Sequence, residues 1–166
     1  MSRTSASRSP SRGRIFIRAV RPGDTRSILA LMRQVFKKAA IDARIETAVG
    51  GTPWHRVKNA LVQRQLDDYP SGCFVAVSQG RIVGFISTAV NAVAGRGWII
   101  DLSVAADCQG RGLGRRLIEH ALAHFRSLGL HHAKIETLDT NLAGQHLYPS
   151  MGFVEVARQI HYVMPL

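Results

Sequence analysis

Apolar and polar residues along the chain change rhythm several times, and each rhythm predicts an element. Ile15-Phe-Ile-Arg-Ala-Val20 predicts a first strand. Beyond Asp24, placed to cap a helix, Ile28, Met32, Val35, Phe36 and Ala39 recur at helical spacing. Residues 41–52 show little periodicity and contain Gly50-Gly51, so they predict a loop. Thr52 as a cap and Pro53 at the first helical position open a second helix. Trp54, Val57 and Leu61 carry it to about Leu66, and Tyr69-Pro-Ser-Gly72 stops it. Cys73-Phe-Val-Ala-Val77 and Ile82-Val-Gly-Phe-Ile-Ser87 form a hairpin around Gln79-Gly80, and Trp98–Val104 is a further strand. A helix carries Leu113, Leu117, Ile118, Ala121, Leu122 and Phe125 on one stripe. Then come a strand over His132–Leu138, a helix over Asn141–Tyr148, and a β-rich ending over Phe153–Leu166 with room for one long strand or a tight hairpin. The predicted order is β-α-α-β-β-β-α-β-α-β, with no internal repeat.

The junction between the strand at 98–104 and the next helix carries the most chemistry. Glycines 110, 112 and 114 let a backbone approach a ligand closely, and the first N–H groups of the helix have no partner inside it. Those donors and the helix dipole favour a phosphate, with Arg111, Arg115 and Arg116 adding charge nearby. A Walker A loop would need Gly-Lys-Ser/Thr, and Gly114 is followed by Arg115-Arg116. A dinucleotide fingerprint would need glycine three residues after Gly112, where Arg115 stands. Gln-x-x-Gly-x-Gly remains, at Gln109, Gly112 and Gly114.

That spacing resembles the coenzyme A pyrophosphate loop of the GCN5-related N-acetyltransferase (GNAT) family. A second signature follows about thirty residues on: Asn141, Gly144, Tyr148 and then Gly152-Phe153 match the family's Asn, small residue, Tyr and Gly-Phe. The element order is also the family's. The resemblance implies an α/β fold with a central twisted mixed sheet flanked by helices, spanning 14–166 as one domain. It also implies acetyl transfer from acetyl-coenzyme A, as co-substrate, to a primary amine of a small molecule or peptide by direct attack. Carried over position by position, it puts Leu102, Ser103 and Val104 along the pantetheine, and Gln109, Gly110, Arg111, Gly112, Leu113, Gly114 and Arg115 around the pyrophosphate. Asn141, Gly144 and Tyr148 complete the cofactor set, and Tyr148 is the acid that protonates the departing thiolate.

The base is less determined. Trp98 and Ile100 occupy positions where family members often carry Glu. Asp101 is the one carboxylate on that strand and alternates with Leu102 and Val104. It is either a base or ammonium ligand, or a buried Asp paired with a neighbouring arginine. Glu136 on the next strand is the second candidate, and a water chain with no dedicated base is the third. Coenzyme A binding without catalysis is the alternative that this departure keeps open.

Composition narrows the picture further. The chain has 166 residues, of which 46% are hydrophobic and 20% charged, enough for a single core. It has no apolar run of membrane-spanning length and no apolar leader, so a cytoplasmic location is expected. Residues 1–14 hold five serines, four arginines and no acid, and residues 1–13 are expected to be a disordered tail. Cys73 and Cys108 form no ligand pattern, and His120 and His124, although one turn apart, lie beside a core stripe, so no metal is expected. The net charge of +11 invites a nucleic-acid reading, but no recognition motif accompanies it. The acceptor pocket is expected near residues 37–66, where Lys37, Lys38, Arg44, Glu46, His55, Arg56 and Lys58 make a basic set. Pairing into a homodimer through a sheet edge is common in the family and is a further expectation.

Overall fold

The computed structural model describes residues 14–36 and 40–166. The serine/arginine tail at 1–13, together with Lys37, Lys38 and Ala39, lies outside the described residues. Five strands form one sheet in the order β1 (Ile15–Ala19), β2 (Cys73–Ser78), β3 (Arg81–Asn91), β4 (Arg96–Val104) and β5 (His132–Ile135). The first four pair antiparallel, and β4 with β5 is parallel, so the sheet is mixed. The helices are α1 (Thr25–Phe36), α2 (Ile41–Val49), α3 (Trp54–Asp68), α4 (Leu113–Ser127) and α5 (Leu142–Leu147).

The periodicities become two packed layers on the sheet. Leu113, Leu117, Ile118, Ala121 and Phe125 turn the stripe of α4 inward. At Gly84 of β3 an added Cβ would lie 2.9 Å from Leu117 Cδ1 and 3.2 Å from Ala76 Cβ, so the bare position lets α4 pack closely on this sheet face. On the opposite face α1 supplies Ile28, Leu31 and Met32, and α3 supplies Val62 and Leu66. Phe85 of β3 is fully buried.

Three expectations are corrected. Residues 41–49 are not loop but helix α2, whose apolar Ile41, Ile45 and Ala48 recur at helical spacing; Gly50, at φ +73°, ends it instead of dissolving it. Neither predicted cap acts as one. Asp24 turns back to Arg18 (2.5 and 2.9 Å) and to the Arg21 amide (2.8 Å), and Thr52 is replaced by Glu46 of α2, whose carboxylate accepts the Trp54 amide at 2.8 Å. The terminal strand is also missing, because Phe153–Leu166 forms no regular element. Among the described residues no helix is long and apolar enough to cross a membrane, and no group of three or more His, Cys, Asp or Glu is placed to hold a metal ion.

Candidate functional site

The site grows out of the end of β4. Its ladder with β5 runs from Arg96↔His132 to Ile99↔Ile135 and stops there. The stretch Ile100–Val104, which includes Leu102 and Ser103, therefore continues with β3 on one side and without β5 on the other. A strand edge that leaves its neighbour opens a slot lined by backbone donors and acceptors. At the far end of this edge the Gln109 side-chain amide donates to the Val104 carbonyl at 2.9 Å, tying the following turn to the strand.

That turn is the glycine loop. Gly110 and Gly112 sit at φ +70° and +75°, and an added Cβ at either would meet nothing within 4 Å. These glycines are required by backbone conformation, and open space lies over them. Gly112 caps α4 with no side-chain partner, and the first helical return bond is from the Arg116 amide to its carbonyl at 3.1 Å. The amides of Leu113, Gly114 and Arg115 are left as free donors at the positive end of a fifteen-residue helix. A diphosphate fits this arrangement: several converging N–H groups, no side chain in the way, and no acid in the helix's first turn.

The arginines around the loop divide. Arg115 Nη2 donates to Ser150 Oγ at 2.7 Å, and Arg116 Nη2 donates to the Ile15 carbonyl at 2.9 Å, which ties α4 to β1. Arg111 is exposed and makes no side-chain bond among the described residues. The Arg115–Ser150 bond also joins the two sequence signatures, since Ser150 lies two residues beyond Tyr148. Gly114 reinforces the junction: an added Cβ there would lie 3.4 Å from Leu147 of α5.

Tyr148 closes α5 and is held from several sides. Asn141 caps the helix, with Oδ1 accepting the Gly144 amide at 3.2 Å and Nδ2 donating to Thr137 Oγ1 at 2.8 Å. An added Cβ on Gly144 would come within 2.8 Å of Asn141 Nδ2 and 3.0 Å of Tyr148 Cε2, so only glycine lets the ring lie across this turn. Phe153 meets the ring edge-on at 6.2 Å between centroids. Burial raises the Tyr148 hydroxyl above its ordinary range, and a hydrogen bond with Thr137 opposes part of that rise. The phenol therefore keeps its proton through neutral pH. Asn141 and Gly144 both serve to place Tyr148, one through its polar groups and the other through its bareness. Thr137, which bonds both Asn141 and Tyr148, was missed by the sequence reading, which ran the strand through Leu138; β5 ends at Ile135, and a lone threonine carries no spacing signal.

The two carboxylate candidates lie on the sheet face opposite α4, by a route the sequence hides. Ser87↔Asp101 is followed by Thr88↔Ile99, so Ile100 is an extra residue in β4. The bulge brings Asp101 onto the same face as Trp98, three residues away, where plain alternation would have parted them. Asp101 is 2% exposed; Lys58 Nζ from α3 pairs with it, and Ser87 Oγ reaches it at 3.3 Å. The partner is a lysine across the helix layer, not a neighbouring arginine. Lys58 also stands 4.8 Å from the centre of the Phe36 ring. Ser103 Oγ, two residues along from Asp101, is buried without a hydrogen-bond partner. Glu136 lies just past β5, half-exposed, with Lys134 Nζ at 2.6 Å, and Lys134 in turn lies 4.7 Å from the Trp98 ring centre.

The model of the acetyltransferase (GNAT) family matches residues 32–153. The mycothiol acetyltransferase of Streptomyces avermitilis is 33% identical over 115 residues, which cover 65% of this chain and 37% of that protein. The streptothricin acetyltransferase of Streptomyces lavendulae is 36% identical over 88 residues, covering 52% of this chain and 47% of that one. The chain thus spans less than half the length of these relatives. The PaiA N-acetyltransferase of Thermoplasma acidophilum, solved with coenzyme A, superposes with a TM-score of 0.67 at 16% identity, over 83% of this chain and 88% of that one. Glycine loop, splayed strand and family match coincide in one region, and the chain belongs to the acetyltransferase (GNAT) family.

Proposed function

We propose that this chain transfers an acetyl group from acetyl-coenzyme A to a primary amine of a small molecule or peptide. The observation that carries the reading is the loop at 109–114, whose free amides and bare glycines fit a diphosphate beside an opened strand edge. Bound there, acetyl-coenzyme A supplies an activated thioester. Backbone groups near Ser103 and Val104 hold the pantetheine and polarise the thioester carbonyl, a use of fixed backbone dipoles that needs no side-chain chemistry. The amine nitrogen forms the new C–N bond as the C–S bond breaks. Tyr148 gives its proton to the leaving sulfur, and the nitrogen's surplus proton leaves on the other side of the sheet. Of the two carboxylates there, Asp101 is engaged by Lys58 and Ser87 and serves to hold them. Glu136, half-exposed, has room to receive the proton through water.

The named relatives act on mycothiol and streptothricin, which favours a small-molecule amine as the acceptor. The alternative, coenzyme A binding without turnover, draws on Trp98 and Ile100 standing where family members often carry Glu. Calorimetry with coenzyme A and a panel of amines assayed for free thiol separates the two. Transfer requires both binding and thiol release; binding without release on any amine supports the alternative. Gly112→Glu puts a side chain and a negative charge over the loop and should abolish binding. Unchanged affinity in that variant would overturn the cradle assignment.

A further inference from the structure

Two charge pairs lie on the sheet face opposite α4, and they differ in what they leave free. Lys58–Asp101 is closed: its side chains are 14% and 1% exposed, and Ser87 takes up part of the carboxylate. Lys134–Glu136 is open, with side chains 42% and 45% exposed. An ammonium has three donors and a carboxylate about four acceptor positions, so one contact at 2.6 Å leaves most of both groups to solvent. Trp98 lies beside the open pair. An added Cβ on Gly97 would lie 2.4 Å from the Phe125 ring of α4, so Gly97 looks toward that helix and Trp98 away from it. Across the strands Trp98 meets Lys134, whose ammonium stands 4.7 Å from its ring centre, and on the β3 side it meets only the small Ala89. The tryptophan is 37% exposed.

This group stands where the sheet forks. Trp98↔Lys134 and Ile99↔Ile135 are the last rungs of the β4–β5 ladder, and Glu136 is the first residue beyond β5. In the acetyl-transfer reading, on which this inference rests, the cofactor enters at the glycine loop and follows the free edge from Val104 back toward Ile100. Its thioester then ends at the fork, and an amine attacking from the face opposite α4 passes over Trp98. The geometry points to the class of that amine: a zwitterion, an α-amino acid with a large apolar side chain. Such a molecule carries ammonium and carboxylate side by side, as Glu136 and Lys134 carry the opposite charges. Glu136 takes the ammonium and, through water, its surplus proton. Lys134 takes the carboxylate, and the apolar side chain covers the open part of the indole ring. A polycationic amine meets Lys134 as a like charge and gains less here. Lys134 and Trp98 are thus the residues that determine specificity for the acceptor.

Acetyl transfer to L-phenylalanine, phenethylamine and L-alanine, followed as free thiol, tests this. Calorimetry of the same three compounds on the coenzyme A-loaded chain gives a second readout that needs no turnover. Phenethylamine lacks the carboxylate, and alanine lacks the ring. Phenylalanine should exceed each of them roughly tenfold or more in kcat/KM and in affinity, through one charge-assisted contact in the first comparison and the covered ring in the second. Lys134→Gln should erase the preference over phenethylamine, and Trp98→Ala the preference over alanine. Equal values for phenylalanine and phenethylamine, with thiol released from both, overturn the zwitterion and leave acetyl transfer standing. Preferential binding of phenylalanine without thiol release on any amine overturns acetyl transfer and keeps this site. No preference by either readout overturns the inference whatever the activity, and a preference that survives Lys134→Gln removes that lysine from it. If a variant no longer folds, the three compounds on the unaltered chain decide alone.

Discussion

Tyr148 and Asp101 show how differently two polar residues near one strand are used. Tyr148 is half-buried at a helix end, its hydroxyl bonded to Thr137 and raised by burial, so it reaches neutral pH as a proton donor. Tyr148→Phe keeps the packing on Phe153 and removes the proton. It should lower turnover about 10²–10⁴-fold while leaving coenzyme A affinity nearly intact, measured as kcat beside calorimetric Kd. Full activity in the variant would reduce the residue to packing. Asp101 has its charge matched inside the protein, by Lys58 with a side chain 14% exposed. Lys58→Met leaves a carboxylate buried without its cation, and breaking such a pair costs about 3–5 kcal/mol. Denaturant unfolding should record that loss at neutral pH, and Lys58→Met combined with Asp101→Asn should recover much of it. Equal stability of the single variant and the wild type would mean that the pair contributes nothing.

At the scale of elements, α4 is fixed at two places: its N-terminus follows the glycine loop, and its flank is locked to β2. Tyr69 Oη lies 2.8 Å from His124 Nε2, and Phe74 of β2 lies edge-on to His120 at 4.5 Å and to His124 at 5.4 Å between ring centres. Burial lowers both histidines below their ordinary 6.5, and for His124 the neighbouring His120 adds to the effect. A lowered histidine favours folding in its neutral form. Its contribution is complete above pH 6.5 and is lost as pH falls through the folded value. The melting temperature should therefore drop as pH is lowered from 7 toward 5, and His124→Leu should flatten that slope. An unchanged slope in the variant would remove the histidines as its cause. Helix α2 shows the converse, an element the sequence hides. Gly50-Gly51 reads as loop, but α2 persists because it packs on α3, and its Glu46 accepts the first amide of that helix.

For the whole molecule, the proposed acetyl transfer should be separable from the charge of the first fourteen residues. Four arginines lie in residues 1–14, leaving +7 for the rest, and neither the loop at 109–114, nor Tyr148, nor the acceptor pocket expected near 37–66 belongs to that stretch. A chain lacking residues 2–12 should keep full acetyl transfer. Any affinity for duplex DNA should weaken in it, with the slope of the salt dependence falling by about 0.9 for each phosphate that the shortened chain no longer neutralises. Loss of transfer in the shortened chain, with DNA affinity retained, would place the tail in the site and reverse this assignment.

The local geometry of the glycine loop and of α5 was legible in the sequence because it is written at fixed short spacings. Gln109, Gly112 and Gly114 had to stand at a strand–helix junction for the loop to turn there, and Asn141, Gly144 and Tyr148 had to fall on one short helix. The stripe of α4 and the hairpin at Gln79-Gly80 were equally local, since periodicity and turn residues depend on neighbours along the chain. Tertiary structure decided what depends on distant partners. The cation opposite Asp101 is Lys58, 43 residues away, because α3 crosses that face of the sheet. The face that Asp101 occupies was set by the extra residue Ile100, which no alternation pattern reveals until β3 is laid beside β4. Asp24 does not cap its helix because the Arg18 guanidinium of β1 and the Arg21 amide together take its carboxylate. The residues after Phe153 alternate as a strand does, yet a strand exists only where an edge receives it, and among the described residues of one chain none does.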